Sequence, residues 1–247
     1  MSIPPIRHRP REGRALSVEQ LYELASWFPE HSKRLVLLAG MVGARQRVWF
    51  ELTDDLLDLD TAALEIPPAL AKNRRAHRIY LTDLEAGLFR EQLLARAPGS
   101  RLVFPTPTGR SWTRSGFRER VWLKATAAAA AHNPAEDSVF EDFDFHWLRH
   151  TAGSLMALAG MDPAVAAERM GHSDGGALFL RTYRHLYESE KRSQARLLEL
   201  LVRRHLDATW TSGEDDPDSS LNKAESEDGR TWDRTRDLPR VKRALSR

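Results

Sequence analysis

Apolar residues recur at helical spacing along most of the chain, and short polar motifs mark where the helices begin. Residues 17–20 and 82–85 both have the form of a capping box, in which a hydroxyl side chain and a side-chain oxygen three residues later accept hydrogen bonds from each other's backbone. Apolar residues follow each motif with a helical period, so both motifs predict the start of an amphipathic helix. Between them, the more apolar stretch from about residue 32 to 41 predicts a buried helix.

Two shorter apolar stretches, residues 64–66 and 77–81, lack the helical period and predict β-strands. The acidic segment 58–60 precedes the first of them and predicts a turn that leads into a strand. It lacks the glycine and the terminal glutamate of a calcium loop, so we do not expect it to bind a metal. The segment between the strands is polar and basic, and a solvated loop is expected there.

The second half of the chain is predicted to be helical. The predicted helices cover residues 112–131, 146–159, 163–170, 178–187 and 188–206, with a loop at 132–141. Asp144 and Asp162 precede two of these helices as N-caps, and Gly160 and Gly171 follow the same two helices as stops. Together with the short strands, these helices predict an α+β fold that is mainly α.

The two ends of the chain differ from the middle in composition. Residues 1–15 are rich in Pro and Arg and show no apolar period, which predicts a flexible arm. Residues 214–228 are acidic and Ser-rich, and residues 230–247 are basic; neither segment can bury a core. We therefore expect an ordered domain over residues 16–206 and a disordered acidic-then-basic tail over residues 207–247.

Charge and composition indicate the class of partner and the cellular compartment. The formal net charge is only +2, but basic residues cluster in the arm and again at residues 72–78, as in proteins that bind phosphate backbones. The absence of cysteine excludes disulfides and thiolate metal sites and fits a reducing compartment. The longest apolar run, residues 35–44, is about half of the ~20 residues that a membrane span needs. The polar N-terminus is unlike a secretory signal. A soluble, cytoplasmic protein without a membrane partner is expected.

The candidate chemistry lies in the segment 143–187. His146 and Arg149 are three residues apart and share one face of a helix, which by itself is typical of a helix start with a satisfied histidine and a surface arginine. Gly171-His172 follows one helix later, and Thr182-Tyr183-Arg184-His185-Leu186 follows next. The series H-x-L-R-H-T, G-H and T-Y-x-H-L resembles the C-terminal signature of the tyrosine recombinases, or phage integrases.

The resemblance extends to the first half of the chain. Counting back from residues 58–60 without a gap places Arg45 on the first catalytic arginine of the family; the alternative is a helix-surface arginine. The family's glutamate three residues later is Val48 here, so Arg45 lacks the side chain that normally helps to hold it. Lys72 stands nine residues before Leu81, as the catalytic lysine of the family's β-hairpin does. Arg74 and Arg75 are expected to bind DNA phosphate only.

The resemblance implies a fold, a site and a reaction. The fold would be the integrase catalytic domain, with a small antiparallel sheet at one side. Arg45 and Arg149 would hold the non-bridging oxygens of one phosphodiester, because the guanidinium fork matches phosphate geometry. His146 and His172 would handle protons and hydrogen-bond the phosphate.

Tyr183 would attack phosphorus to give a 3′-phosphotyrosyl link, and Lys72 would protonate the departing 5′ oxygen. Because the link retains the phosphodiester's free energy, neither ATP nor a metal cofactor is expected. Tyr187 is the rival nucleophile, disfavoured because it lies outside the T-Y-x-H-L motif. Trp147 and His150 are assigned to packing.

Several functions remain open from the sequence. Relatives usually carry a separate core-binding domain before the catalytic one, which residues 1–15 are too few to form, so a truncated integrase with weak DNA affinity is expected. An active enzyme for site-specific DNA recombination is the leading hypothesis. It would work on double-stranded DNA, associated with the nucleoid, as a homo-oligomer (a tetramer) joined by the C-terminal helix. The alternative is an inactive remnant that binds DNA or modulates a full-length recombinase. Topoisomerase-type activity is disfavoured because the sequences of the motifs favour integrases.

Overall fold

The structure is a computed structural model, and it describes residues 14–96, 98–132 and 138–187, together with six residues between 195 and 203. Most of the predicted arm, the predicted tail and most of the predicted helix 188–206 lie outside the described residues. The chain divides into two units, 1–194 and 195–247, and everything that follows concerns the first.

Helices make up most of the described chain. They are α1 (Val18–Ser26), α2 (Glu30–Val42), α3 (Gln46–Glu51), α4 (Asp83–Ala95), α5 (Arg114–Phe117), α6 (Leu123–His132), α7 (His146–Leu158), α8 (Pro163–Arg169) and α9 (Ala177–Tyr187). Both predicted capping boxes are present, with the side chains of Ser17 and Thr82 at the N-termini of α1 and α4. Among the described helices, none has the length and apolar character needed to cross a membrane.

A small antiparallel sheet confirms the predicted strands. Its order is β1 (Leu57–Asp58), β2 (Ala63–Ile66) and β3 (His77–Tyr80), with Leu64 opposite Leu57 on one side and Ile79 on the other. The prediction of a mainly helical fold with a small sheet is therefore confirmed. The loop between β2 and β3 carries the basic cluster.

The long helix predicted over residues 112–131 differs in detail. It begins at Arg114, because the Thr113 hydroxyl caps it by accepting from the Gly116 N–H at 3.0 Å. It then passes through a π-helical turn, Arg118–Trp122, before continuing as α6. In that wide turn the Trp122 indole N–H donates to the Phe143 carbonyl at 2.7 Å.

The core has two parts. The larger is filled by aromatic and aliphatic side chains from α1 to the start of α7, including the fully buried Trp49, Phe89, Phe104 and Phe117. The smaller joins α7, α8 and α9 around Ala152, Met156, Phe179 and Tyr183. Helix α7 packs against α2, α8 and α9, so it connects the first half of the chain with the last two helices.

Candidate active site

Arg149 is the buried centre of the candidate site. It lies in the first turn of α7, where the Asp144 carboxylate accepts from the His146 backbone N–H at 2.8 Å. Only 7% of Arg149 is exposed. Its Nη1 donates to the Gly43 carbonyl at 2.6 Å, and its Nη2 lies 2.9 Å from His172 Nε2. Helix α7 thus holds this guanidinium between the end of α2 and the turn after α8.

The charge of Arg149 is not neutralised by a carboxylate from the described residues. Burial, together with the nearby positive charge of Arg45, lowers its pKa to about 10. A buried cation without a counter-ion is unfavourable in a medium of low dielectric constant. The arrangement therefore favours binding of an anion.

Arg45 is brought to the same place by the turn that follows α2. Gly43 ends α2 in the left-handed conformation (φ 76°), and Arg45 is the N-cap residue of α3. Burial lowers the pKa of Arg45, and its charge in turn contributes to the lowered pKa values of His146 and His172. Two arginines and two histidines of the predicted site are therefore electrostatically coupled.

Val48 replaces the glutamate that the resemblance leads one to expect, and it is buried in the main core. Within the described chain the Arg45 guanidinium has no hydrogen-bond or ion-pair partner. A cavity of about 500 Å³ lies beside Arg45 and His146, and its other walls include Arg47, Trp112 and Arg114. Cationic and aromatic linings of this kind suit a nucleic-acid strand.

His172 lies on the turn after α8, as predicted. Gly171 takes a left-handed conformation (φ 68°), and the His172 backbone N–H donates to Ala167 at 2.8 Å. Because a guanidinium has no acceptor, His172 Nε2 must accept from Arg149, which leaves the proton on Nδ1. That Nδ1 is buried and has no partner among the described residues. Burial and the charge of Arg149 lower the pKa of His172, which favours this neutral form.

Tyr183 extends from α9 to the surface of α7 and is 5% exposed. Its ring covers Gly153 so closely that a Cβ on residue 153 would lie 2.4 Å from Cζ. Its hydroxyl oxygen lies 3.2 Å from His150 Nδ1. Burial raises the pKa of Tyr183 to about 12, although the charge of Arg149 acts in the opposite direction.

His150, which the sequence assigned to packing, makes the contact with the Tyr183 hydroxyl. It follows His146 by one helical turn, and the two rings lie perpendicular with centroids 5.4 Å apart. The spacing of His146, His150 and Gly153 on one stripe of α7 was the available signal. Trp147, assigned to packing as well, is buried against Phe143.

Lys72, Arg74 and Arg75 are exposed in the loop between β2 and β3. The structure brings none of these side chains into a hydrogen bond or ion pair with another described residue. The loop nevertheless ends beside the site, since the ring of His77 on β3 packs against Gly171. A Cβ added at residue 171 would lie 2.9 Å from His77 Cε1. The pKa of His77 is lowered mainly by burial and also by the charges of Arg149 and Arg45.

The rival tyrosine is occupied elsewhere. The Tyr187 hydroxyl donates to the Met161 carbonyl, at the end of the connection between α7 and α8. Of the two tyrosines on α9, Tyr183 is the one whose hydroxyl faces the histidines of α7. No group of three or more His, Asp or Glu side chains in the described residues is arranged to hold a metal ion.

Comparisons with known proteins agree with the predicted resemblance. The protein-family model described as "Phage integrase family" matches residues 14–190 of this chain. A comparison with curated proteins finds no match.

Among solved structures, the Tn1549 transposon integrase in complex with transposon right end DNA is similar with a TM-score of 0.62 at 17% identity, over 78% of this chain and 69% of that one. The XerA recombinase has a TM-score of 0.57 at 14% identity, over 74% and 67% of the two chains. The XerH recombinase in a post-cleavage complex on palindromic difH substrate has a TM-score of 0.53 at 17% identity, over 76% and 54%. These likenesses confirm the predicted catalytic-domain fold.

Proposed function

Because the chain belongs to the phage integrase family, we propose that it breaks and rejoins double-stranded DNA in site-specific recombination. The observation that carries the proposal is the buried Arg149, which has no carboxylate partner in the described chain and has Arg45, His172 and Tyr183 around it. Such a pocket suits one phosphodiester of a DNA strand. The Tn1549 integrase and XerH structures contain DNA, which supports DNA as the substrate class.

In the proposed reaction the site residues hold the phosphate, attack phosphorus or supply a proton. Arg45 and Arg149 hold the non-bridging oxygens and stabilise the charge that develops as phosphorus is attacked. His172 binds the same phosphate, and His146 stands at the open edge of the pocket. The Tyr183 oxygen forms a bond to phosphorus while the bond to the 5′ oxygen breaks, and Lys72 supplies the proton to that 5′ oxygen. The free 5′ hydroxyl then attacks the phosphotyrosyl link of a partner strand.

A covalent trapping experiment tests this function. Nicked suicide duplexes, drawn from a pool of random sequence, lose a short fragment on cleavage, so the phosphotyrosyl adduct accumulates. We expect the wild type to give an adduct that survives denaturation, Tyr183→Phe to give none, and the matched variant Tyr187→Phe to give the wild-type amount. An adduct that persists in Tyr183→Phe would contradict the assignment of the nucleophile.

A second function, DNA binding without cleavage, has its own support. Tyr183 is buried, Lys72 makes no hydrogen bond or ion pair with the other site residues in the described chain, and Val48 leaves Arg45 without its usual partner. This alternative predicts salt-sensitive DNA binding and no adduct from any duplex in the pool. Binding together with an adduct at Tyr183 excludes it.

Strand exchange also requires several copies on one DNA site, and we propose a homo-oligomer, a tetramer, joined through the segment 188–206. Most of that segment lies outside the described residues. A DNA substrate would place the protein at the nucleoid. Cross-linking on a duplex with two paired half-sites measures the number of subunits, and a chain that remains monomeric on such DNA contradicts this part.

A further inference from the structure

Tyr183 needs a proton acceptor, and the contact of its hydroxyl with His150 addresses that need. Within the described residues this hydroxyl makes one hydrogen bond, which joins Tyr183 Oη to His150 Nδ1 at 3.2 Å. Both side chains are held by neighbours: the Tyr183 ring lies on Gly153 and against Phe179, and the His150 ring lies across His146. The contact is therefore fixed by the packing of α9 on α7.

The protonation state of His150 follows from its burial and from the charges around it. The titratable groups that face it are His146 and Arg149 from its own helix and Tyr183 from α9. Burial and the neighbouring His146 and Arg149 lower the pKa of His150, so its ring is neutral at pH 7. In the tautomer with its proton on Nε2, the neutral ring has a free lone pair on Nδ1 that accepts the Tyr183 O–H, and proton transfer from Tyr183 requires this tautomer.

The other histidines of the site are less suited to take this proton. His172 Nε2 already accepts from Arg149, and His146 lies against the His150 ring and makes no hydrogen bond with Tyr183 within the described residues. With a pKa of about 12, only about one Tyr183 hydroxyl in 10⁵ is ionised at pH 7, so an adjacent base has a large effect on the attack.

We infer that His150, rather than His146, is the group that accepts the proton of Tyr183 during strand cleavage. The inference rests on the proposed function. As the Oη–H bond breaks, the proton moves to His150 Nδ1 and the oxygen's electron pair forms the bond to phosphorus. The bond from phosphorus to the 5′ oxygen breaks, and that oxygen takes a proton from Lys72. Rejoining reverses the sequence, with His150 returning the proton to Tyr183.

Substitution with chemical rescue tests the proton transfer. Single-turnover adduct formation on a suicide duplex is measured for His150→Ala, His150→Asn and, as a matched control on the exposed face of α9, His185→Ala. We expect a loss of about 10²-fold or more in the Ala variant, in the range of general-base catalysis. The Asn variant keeps an acceptor near the Nδ1 position but cannot take a proton, so we expect the same loss. Added imidazoles should restore the Ala variant, faster as their basicity rises.

Several outcomes would overturn the inference while leaving the proposed function intact. They are a wild-type rate in His150→Ala, a wild-type rate in His150→Asn, and a rescue that does not depend on the pKa of the added imidazole. The last would mean that His150 only fills space beside Tyr183. A His146→Ala variant that is rescued with the same basicity dependence, while His150→Ala is not, would assign the proton to His146.

A readout without activity separates this inference from the proposed function. In ¹⁵N spectra of the full chain, His150 should be the Nε2–H tautomer, and its Nδ1 signal should shift in Tyr183→Phe. If the wild type gives no adduct but the shift is present, the proposed function fails and the hydrogen bond stands. If Tyr183→Phe leaves the Nδ1 signal unchanged, the contact and with it the inference are wrong.

Discussion

At the scale of single residues, Gly153 controls where the tyrosine can stand. An added Cβ would lie 2.4 Å from Cζ and 2.5 Å from Oη of Tyr183, closer than real Cβ contacts. We therefore expect Gly153→Ala to push the hydroxyl away from His150 and to reduce adduct formation by at least 10²-fold, because a shift of about 1 Å at a reacting group has an effect of this size. The adduct assay and a DNA-binding assay on the same preparation measure the two effects separately.

The matched control for Gly153 is Gly87, which lies inside α4 and would meet nothing within 4 Å of an added Cβ. Gly87→Ala should leave adduct formation unchanged and raise the free energy of unfolding by about 0.5–1 kcal/mol, the difference in helix propensity. A Gly153→Ala variant that forms adduct at the wild-type rate would show that the tyrosine does not react from this position.

Residue identities were largely predictable where a motif names them, whereas contacts across helices were not. Arg149, His172 and Tyr183 were expected from the motifs, and the structure places Arg149 beside His172. The contact between His150 and Tyr183 joins residues 33 positions apart, so it depends on how α9 packs on α7. No local pattern encodes such a distance.

At the scale of elements, one buried ion pair ties α8 to the sheet and to α4. The Arg169 guanidinium bonds the Glu85 carboxylate and the Tyr80 carbonyl, and the two side chains are 11% and 3% exposed. Glu85 also closes the capping box by accepting from the Thr82 backbone N–H at 2.8 Å. Because α8 leads directly to His172, this pair holds the histidine's turn against β3.

Breaking this ion pair should lower the free energy of unfolding substantially. Arg169→Met leaves the Glu85 charge buried without a partner, and we expect a loss of about 3–5 kcal/mol in the free energy of unfolding. Arg101→Met, which removes an exposed pair with Asp55, should change it by no more than about 1 kcal/mol. Urea denaturation measures both. If Arg169→Met and the exposed control lose equal stability, the pair does not hold α8.

Helix starts and stops followed from the sequence because caps are local. Ser17, Thr82 and Asp162 accept backbone N–H groups in their own first turns, so the signal lies within a few residues. The π-helical turn at Arg118–Trp122 was not predicted, because the contact made there, from Trp122 to Phe143, joins positions 21 residues apart.

At the scale of the whole molecule, the net charge of +2 gives little indication of the site. The relevant charges are those of Arg149 on α7 and Arg45 in the turn that follows α2, and the fold gathers them where no described carboxylate pairs with them. Composition sums over the chain and cannot reveal this local excess. The fold therefore gathers unpaired cationic side chains that the sequence indicates only through the motifs.

This local excess predicts how stability depends on pH and on anions. The pKa values of His146, His150 and His172 are lowered in the folded state, mainly by burial, so the unfolded chain binds more protons below its ordinary histidine pKa of about 6.5. Stability from these groups is present above that pH and is lost as the pH falls through the lowered values. In thermal unfolding, the Tm should fall between pH 7.5 and 5.5 in chloride, and sulfate at equal ionic strength should restore part of the lost Tm by binding the folded state.

The effect of sulfate should disappear in Arg149→Met and persist in the control variant His31→Gln. His31 is also a histidine whose pKa is lowered by burial, but its ring stacks on Trp112. Equal protection by sulfate in Arg149→Met and the wild type would contradict an anion site at Arg149.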